Sequence, residues 1–220
     1  MNTAIDDRLE VAVVDYGMGN RRSVEKALEH VGADARITAD PDYLRQADGL
    51  VLPGVGAFPQ AMRNLDALGL PDLIRELAGR AKPLLGICLG MQLLFDASTE
   101  IGPTRGLGLI GGEVTRLESG DRRIPHIGWN EVRFERPCAL TAGLPNAGCP
   151  FYHVHSFAAR PRDADTVVGT TEYGERFATI VGRENVFGVQ FHPEKSSRNG
   201  LRMLARFVGL CAGGEARVAA

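Results

Sequence analysis

The chain has 220 residues, of which 44% are hydrophobic, and a formal net charge of −2 at pH 7. These values fit one folded domain with a sizeable core, and they provide no basic surface for nucleic acid or an anionic membrane. No stretch approaches the roughly 20 apolar residues that span a bilayer, and the acidic start MNTAIDDRLE has no apolar signal core. We therefore expect a soluble, cytoplasmic protein.

Cysteine spacing argues against a metal site and against a disulfide scaffold. The chain contains no CxxC pair, and its four cysteines are widely dispersed. Free thiols indicate a reducing compartment, and we predict neither a metal nor a cofactor. The four are Cys88, Cys138, Cys149 and Cys211. The motifs described below give a role to the first alone.

The first hundred residues alternate between apolar strand patterns and amphipathic helix patterns. Strands are predicted in LEVAVVD, ADARIT, GLVLPG and AKPLLGI, and helices in SVEKALEHVG, PQAMRNLDAL and PDLIRELAGR. This alternation is typical of an α/β fold with a doubly wound, flavodoxin-like, mostly parallel sheet.

The second half has a different pattern, with short apolar runs broken by Gly, Pro and Asn. These runs are GLGLIGGEVTRLE, NEVRFER, FYHVHSFAAR, TVVGTTEY and RFATIVGRENVFGVQF. They predict antiparallel strands added to one edge of the sheet, followed by a last helix over about residues 199–210. We expect an N-terminal extension at 1–10, a single domain at 11–210 and a flexible tail at 211–220.

PLLGICLGMQLLF, at residues 83–95, places Cys88 between Gly86 and Gly90. Cysteine is often a buried core residue, and this motif taken alone is compatible with that interpretation. The alternative is a nucleophile elbow, in which a tight turn after a strand exposes the side chain and leaves no room for a Cβ atom on either side. A helix over GMQLLFDAS would then stabilise a thiolate, with Gln92 on the same side one turn later.

A second motif, NVFGVQFHPEKS at residues 185–196, supplies a possible proton donor and its orienting group. His192 and Glu194 can lie on one side of the chain, with Pro193 fixing the backbone between them. Alone, this HxE pair could be part of a solvated edge. Together with Cys88 it completes the set of groups needed for thiol acyl transfer.

LVLPGVGAF, at residues 50–58, follows a strand of the same parallel sheet. Loops at the carboxyl ends of such strands converge on a ligand crevice. We expect the backbone N–H groups of Val55 and Leu89 to form an oxyanion hole. The alternative is an ordinary strand-to-helix turn.

Two other motifs fail as ligand sites. YGMGNR follows the first strand, but Arg22 occupies the place of the third glycine of a dinucleotide fingerprint. His153 and His155 could form a metal pair, yet no acidic or thiol ligand accompanies them at a suitable spacing. We expect a strand with two histidines.

Together, GICLGMQLLF, PGVGAF and FGVQFHPEKS resemble the class I, or triad, glutamine amidotransferase family, from about residue 11 to about residue 208. These motifs are shared across the family. Accessory segments resemble, within it, the glutaminase subunits of imidazole glycerol phosphate synthases. These segments are DYGMGNRRSV, PHIGWNEV, HVHSF, GTTEYG and HPEKS.

The resemblance implies a catalytic triad and a glutamine site. Cys88 would attack the glutamine carboxamide to form a thioester, His192 would protonate the departing ammonia and activate water, and Glu194 would hold the imidazole. The glutamine contacts it implies are Gly54, Gly56, Gln92, His155, Ser156 and Phe157. The family often has an aromatic residue at the position of His153 and a tyrosine at that of Phe157. We expect main-chain recognition of glutamine to be retained, without a tyrosine hydroxyl at position 157.

The resemblance also implies a partner, a separate (β/α)₈ cyclase subunit that takes up the ammonia to form imidazole glycerol phosphate and an aminoimidazole ribonucleotide in histidine biosynthesis. Trp129 and Tyr152 could instead be core aromatics. The positions implied near that interface are Met18, Asn20, Trp129, Tyr152 and Lys195.

Two further hypotheses remain open from the sequence. One is a triad amidotransferase that serves another synthase. The other is a non-catalytic interaction protein in which Cys88 is a redox-sensing thiol. A redox sensor would not need His192 or Glu194, and their presence favours the enzyme.

Overall fold

A computed structural model describes residues 8–213 of the chain. Most of the predicted N-terminal extension and of the predicted tail therefore lies outside the described residues. Within 8–213, no helix has both the length and the apolar character needed to cross a membrane.

Strands and helices alternate through the N-terminal half, as predicted. Its strands are β1 Glu10–Val14, β2 Asp34–Thr38, β3 Gly49–Leu52, β4 Leu84–Ile87, β5 Phe95–Ser98 and β6 Thr104–Arg105. Its helices are α1 Arg21–His30, α2 Pro41–Gln46, α3 Phe58–Ala67, α4 Leu70–Gly79 and α5 Leu89–Leu93.

The C-terminal half is mainly β-structure and ends in a helix. Its strands are β7 Ile110–Arg116, β8 His126–Phe134, β9 Cys149–His155, β10 Phe157–Pro161, β11 Val167–Tyr173, β12 Glu175–Arg183 and β13 Val186–Val189. The helix α6 spans Ser197–Cys211, and short 3₁₀ helices lie at Ala139–Thr141, Ala164–Thr166 and Pro193–Lys195.

One mixed sheet organises the described chain. Its order begins β2-β1-β3-β4-β13, and these five strands are parallel. The order continues through β12 and β10, which are antiparallel to their neighbours, to β7, β5 and β6, while β11, β8 and β9 branch from β12. The predicted α/β fold, with a mostly parallel sheet and antiparallel additions, is confirmed.

Strand β13, predicted as an antiparallel addition, instead joins the parallel strands at the centre of the sheet. β13 has the sequence VFGV, is buried along its whole length, and pairs in parallel with β4. A strand buried on both faces suits the centre of a parallel sheet. As a result, the chain that follows β13 emerges beside the chain that follows β4.

The helix expected over GMQLLFDAS is much shorter than predicted. α5 ends at Leu93, and FDAS forms the strand β5 instead. The carbonyl of Leu94 accepts hydrogen bonds from the N–H groups of Leu109 and Ile110, and β5 pairs with β7. These long-range bonds override the local helical pattern.

Helix α2 was not predicted, although the sequence carries a signal for it. Asp40 caps the helix by accepting a hydrogen bond from the N–H of Asp42, and Pro41 occupies the first turn. An Asp-Pro start of this kind is a recognised helix signal, but α2 has only six residues.

Two apolar clusters lie on opposite faces of the sheet. Leu65 of α3 and Ile74 of α4 belong to one cluster, and Leu28 of α1 and Phe207 of α6 belong to the other. Helices thus cover both faces, and the carboxyl ends of β3, β4 and β13 meet at one edge.

Candidate active site

Cys88 lies on a sharp turn between β4 and α5. Its backbone has φ 55° and ψ −109°, a conformation that is strained for an L-amino acid. Its N–H donates to the Val189 carbonyl at 2.8 Å. A Cβ on Gly90 would lie 1.7 Å from the Leu52 carbonyl oxygen, and one on Gly86 would lie 2.6 Å from that of Gly90. The prediction that neither glycine has room for a side chain is confirmed.

His192 follows β13 and lies close enough to Cys88 for the sulfur to raise the pKa of its imidazole. Its Nδ1 lies 2.8 Å from Oε1 of Glu194, and the two side chains are 1% and 0% exposed. The solvated-edge alternative for the HxE pair is therefore wrong. The backbone beside them is also fixed, because the Ser196 hydroxyl donates to the His192 carbonyl at 2.7 Å and accepts from the Tyr152 N–H at 3.0 Å.

Electrostatics favour a charged imidazole at this position. Burial alone would lower the pKa of His192, but hydrogen bonds and charge interactions with Cys88 and Glu194 outweigh burial and raise that pKa to about 10. Asn20 donates to Oε1 of Glu194 at 2.6 Å, which holds the carboxylate against the ring. Within residues 8–213, Oε2 of Glu194 has no hydrogen-bond partner.

A cavity of about 240 Å³ opens beside Cys88. It brings together most of the residues predicted for glutamine binding and for the oxyanion hole. The predicted residues in its wall are Val55, Gly56, Leu89, Gln92, His155, Ser156 and Phe157. Gly54 lies just behind this wall, where a Cβ would come within 2.2 Å of the Tyr16 hydroxyl oxygen.

Gln92 does point to the side where Cys88 lies. Its Nε2 donates to the Phe157 carbonyl and to Oε1 of Gln190, both at 3.1 Å. Gln190 Nε2 in turn lies 3.8 Å from the Cys88 sulfur. Gln190 was missed at the sequence level, although an amide residue within the otherwise apolar run FGVQF was a signal that could have found it, and its side chain is fully buried.

Glu100, Pro125 and Val154 also line the cavity and were not predicted. Oε2 of Glu100 accepts a hydrogen bond from the Phe58 N–H at 2.8 Å, so the first residue of α3 holds this carboxylate in place. Glu100 lies in the loop after β5, and nothing in its local sequence marks it as a site residue.

The two predicted oxyanion donors lie in different surroundings. The Leu89 N–H donates to the Gly54 carbonyl at 3.3 Å. Val55 is 38% exposed at the rim of the cavity. In this conformation the Leu89 N–H is not free to bind another acceptor.

The residues predicted at a partner interface occupy different environments. Trp129 is 54% exposed, so the core alternative is wrong for this residue, and its ring lies 6.1 Å from that of the half-buried Tyr152. Lys195 is exposed and Met18 is half-buried. Asn20 reaches inward to Glu194.

The fold and the Cys–His–Glu arrangement define an α/β enzyme built for thiol acyl transfer. The family model described as glutamine amidotransferase class-I matches residues 12–210. The chain therefore belongs to the class I glutamine amidotransferase family.

Curated relatives cover nearly the whole chain. A protein of Moorella thermoacetica named "Imidazole glycerol phosphate synthase subunit HisH" is 55% identical over 197 residues, which are 90% of this chain and 93% of that protein. A protein of Geobacillus kaustophilus with the same name is 47% identical over 208 residues, or 92% of this chain and 98% of that protein.

Solved structures with the same fold are more distant in sequence. The structure of PurLQS from Thermotoga maritima superposes with a TM-score of 0.74 at 22% identity, covering 92% of this chain and 99% of that one. A crystal structure titled glutamine amidotransferase has a TM-score of 0.72 at 20% identity, covering 92% and 98%. These two likenesses support the fold alone.

Proposed function

We propose that this chain is the glutamine-hydrolysing subunit of an imidazole glycerol phosphate synthase. The observation that carries the proposal is the buried His192–Glu194 pair beside Cys88, whose sulfur helps to raise the pKa of His192 and lines a cavity. The names of the relatives that are about half identical over nine tenths of the chain support the particular synthase.

The reaction would proceed in two steps. The Cys88 thiolate attacks the side-chain carbonyl carbon of glutamine, and the tetrahedral intermediate collapses as His192 donates its proton to the departing ammonia. Water then attacks the thioester while His192 takes one of its protons, and glutamate leaves as the Cys88–carbonyl bond breaks. The raised pKa of His192 favours the imidazolium that the first step needs.

The cavity wall provides the groups that would bind glutamine. Gln92 and the main chain at His155, Ser156 and Phe157 offer donors and acceptors, and Gly54 and Gly56 allow close approach of the opposite loop. Glu100 adds a carboxylate to the same cavity. We assign Glu100 to the α-ammonium group of glutamine, because it is the acidic side chain in that wall.

The proposed oxyanion hole uses the N–H groups of Val55 and Leu89. The bond from Leu89 to the Gly54 carbonyl must open, and the Gly54–Val55 peptide must turn, before both donors can face an oxyanion. We therefore expect slow hydrolysis by the isolated subunit and a faster reaction once a partner favours the turned loop.

The ammonia would be passed to a separate (β/α)₈ cyclase subunit in a cytoplasmic complex. The exposed Trp129 and Lys195 are suited to contact such a partner, and the ring of Tyr152 lies beside that of Trp129. We also assign the half-buried Met18 to this contact. Asn20 would link this surface to Glu194. We assign the amidotransferase domain to residues 11–210.

One assay tests the assignment. Glutamate production is measured for the chain alone, with the cyclase subunit, and with the cyclase and its ribulosyl aminoimidazole carboxamide nucleotide. We expect strong stimulation that needs both additions, and none with the synthase partner of another triad amidotransferase. Equal stimulation by such a partner would assign the chain to a different synthase, and the absence of hydrolysis in every mixture would favour a non-catalytic role for Cys88.

A further inference from the structure

Three histidines lie together behind the wall of the cavity, on the adjacent strands β8 and β9. His126 stacks on His153 with ring centroids 4.9 Å apart, and its Nδ1 lies 3.0 Å from Nε2 of His155. All three side chains are buried. His155 also lines the cavity, so this cluster connects directly with the site described above.

The hydrogen-bond partners fix which ring nitrogen carries each proton. The Phe157 carbonyl can only accept, so His155 Nδ1, at 2.8 Å from it, must be the donor. Nε2 of neutral His155 is then an acceptor, and the proton between the two rings belongs to His126 Nδ1. His126 Nε2 is left as an acceptor and faces the Asn130 amide nitrogen at 3.3 Å.

The orientation of the Asn130 amide is set independently. Its Nδ2 also donates to the Glu172 carbonyl at 3.0 Å, so this atom is the nitrogen and not the oxygen. The four groups form one directional chain of donors, which runs from Asn130 through His126 and His155 to the Phe157 carbonyl.

The surroundings keep both rings of the chain neutral. Burial and the nearby Arg122 charge together lower the pKa of His126 to about 4, and burial is the main cause that lowers the pKa of His155 to about 3. Arg122 lies over the Tyr173 ring, which stacks on His126 at 4.0 Å. A second proton, on Nε2 of His155, would also face the Nδ1 proton of His126. Neutral His126 and His155 therefore satisfy every hydrogen-bond partner.

The chain of hydrogen-bond donors ends on the Phe157 carbonyl oxygen, which belongs to the cavity wall. The Phe157 carbonyl accepts from Gln92 Nε2 at 3.1 Å as well as from His155, so two side chains of the cavity wall share one acceptor. A change in the orientation of His155 would therefore alter the position of the Phe157 peptide and of the Gln92 amide.

We propose that His126 is a positioning residue for glutamine binding, because its Nδ1–H orients His155 and, through His155, the Phe157 carbonyl in the cavity wall. This inference rests on the proposed function of the cavity. His126 reaches no cavity surface itself, and it acts through His155.

A purely packing role for His126 makes different predictions. Its ring lies between Tyr173 and His153, and a phenylalanine would keep this stacking while losing both nitrogens. His153 provides a matched control, since it is equally buried in the same cluster but bonds to the Phe151 carbonyl and the Thr179 hydroxyl, outside the chain of donors.

The kinetic test uses the complex with the cyclase subunit. We expect His126→Phe to raise KM for glutamine by about 3- to 10-fold, the effect of one lost neutral hydrogen bond, with kcat nearly unchanged. His126→Asn, whose amide nitrogen can replace Nδ1, should recover part of this loss, and His153→Phe should leave KM as in the wild type. An unchanged KM in His126→Phe, or an equal increase in His153→Phe, would overturn the inference.

A second measurement does not depend on the variants folding. ¹⁵N NMR of the histidine rings in the full chain should find the proton of both His126 and His155 on Nδ1. A proton on Nε2 of His126 would contradict the proposed chain of hydrogen-bond donors. If wild-type protein hydrolyses no glutamine, the proposed function fails, whereas an active wild type with the other tautomer removes the role of His126 alone.

Discussion

The main-chain N–H of Leu89 donates to the carbonyl oxygen of Gly54 at 3.3 Å. Leu89 directly follows Cys88, and Gly54 directly precedes Val55. This single bond therefore joins one proposed oxyanion donor, the Leu89 N–H, to the Gly54–Val55 peptide, which carries the other donor. On the far side of Gly54, the Tyr16 hydroxyl donates to the Pro53 carbonyl. Tyr16 thus fixes the peptide before the one that must turn.

This arrangement predicts coupling between Tyr16 and Gly54. A Cβ at Gly54 would lie 2.2 Å from the Tyr16 hydroxyl oxygen, so Gly54→Ala should destabilise the fold through this clash. Tyr16→Phe alone should cost about 1–3 kcal/mol by leaving the buried Pro53 carbonyl unpaired. In urea unfolding, the loss of stability in the double variant should be about 1–3 kcal/mol smaller than the sum of the losses in the two single variants. Additive losses would show that the Tyr16 hydroxyl does not limit the size of the side chain at position 54.

The strained backbone at Cys88 predicts an unusual order of stability. Both Cys88→Ala and Cys88→Gly should abolish glutamine hydrolysis, by at least about 1,000-fold, without unfolding the protein. With φ at 55°, alanine keeps the strain and glycine relieves it, so the glycine variant should be more stable than the alanine variant by about 1 kcal/mol. Full activity in either variant would contradict the proposed nucleophile, and a less stable glycine variant would contradict the strain.

The pKa of His192 predicts a pH dependence with a defined sign. The folded-state pKa is raised from 6.5 to about 10, so the charged ring stabilises the fold fully below pH 6.5 and loses this effect as the pH rises through 10. Glu194→Gln removes one of the groups that raise this pKa. The difference in unfolding free energy between wild type and Glu194→Gln should therefore shrink between pH 6.5 and pH 10.

NMR titration gives the direct check on that assignment. The pKa of His192 should fall in Glu194→Gln, which removes the negative charge beside the ring, and also in Cys88→Ala, which removes the sulfur, because both groups raise this pKa. A pKa that stays at its wild-type value in both variants would mean that neither partner controls the imidazole.

The packing of the turn at Gly90 predicts a large loss of stability. A Cβ there would lie 1.7 Å from the backbone oxygen of Leu52, which cannot move without displacing β3 from the centre of the sheet. Gly90→Ala should cost about 3 kcal/mol or more. Gly209→Ala in α6 is the matched control, since nothing lies within 4 Å of its Cβ, and it should instead stabilise the protein by about 0.5–1 kcal/mol. Equal effects of the two changes would contradict this account.

Much of the fold and part of the site could be predicted from local sequence. Apolar runs and helical spacing identified β1 to β4, α1, α3 and α4, because each pattern reflects burial that the element meets in the fold. FDAS was misassigned to a helix because its strand partner β7 lies in a different part of the chain. The same limit applies to Glu100, which only the tertiary structure brings to the cavity, whereas the amide of Gln190 in an apolar run carried a sequence signal.

By itself, the sequence determined the parts of the site that depend on residue type and on short spacing. Gly86, Cys88 and Gly90 shape one turn, and His192 and Glu194 are two residues apart, so local backbone geometry suffices to define each motif. Only the tertiary structure brought the two motifs together, through the parallel pairing of β13 with β4. It also decided that the Leu89 N–H is engaged by Gly54, because hydrogen-bond partners far apart in sequence are chosen by packing and not by local pattern.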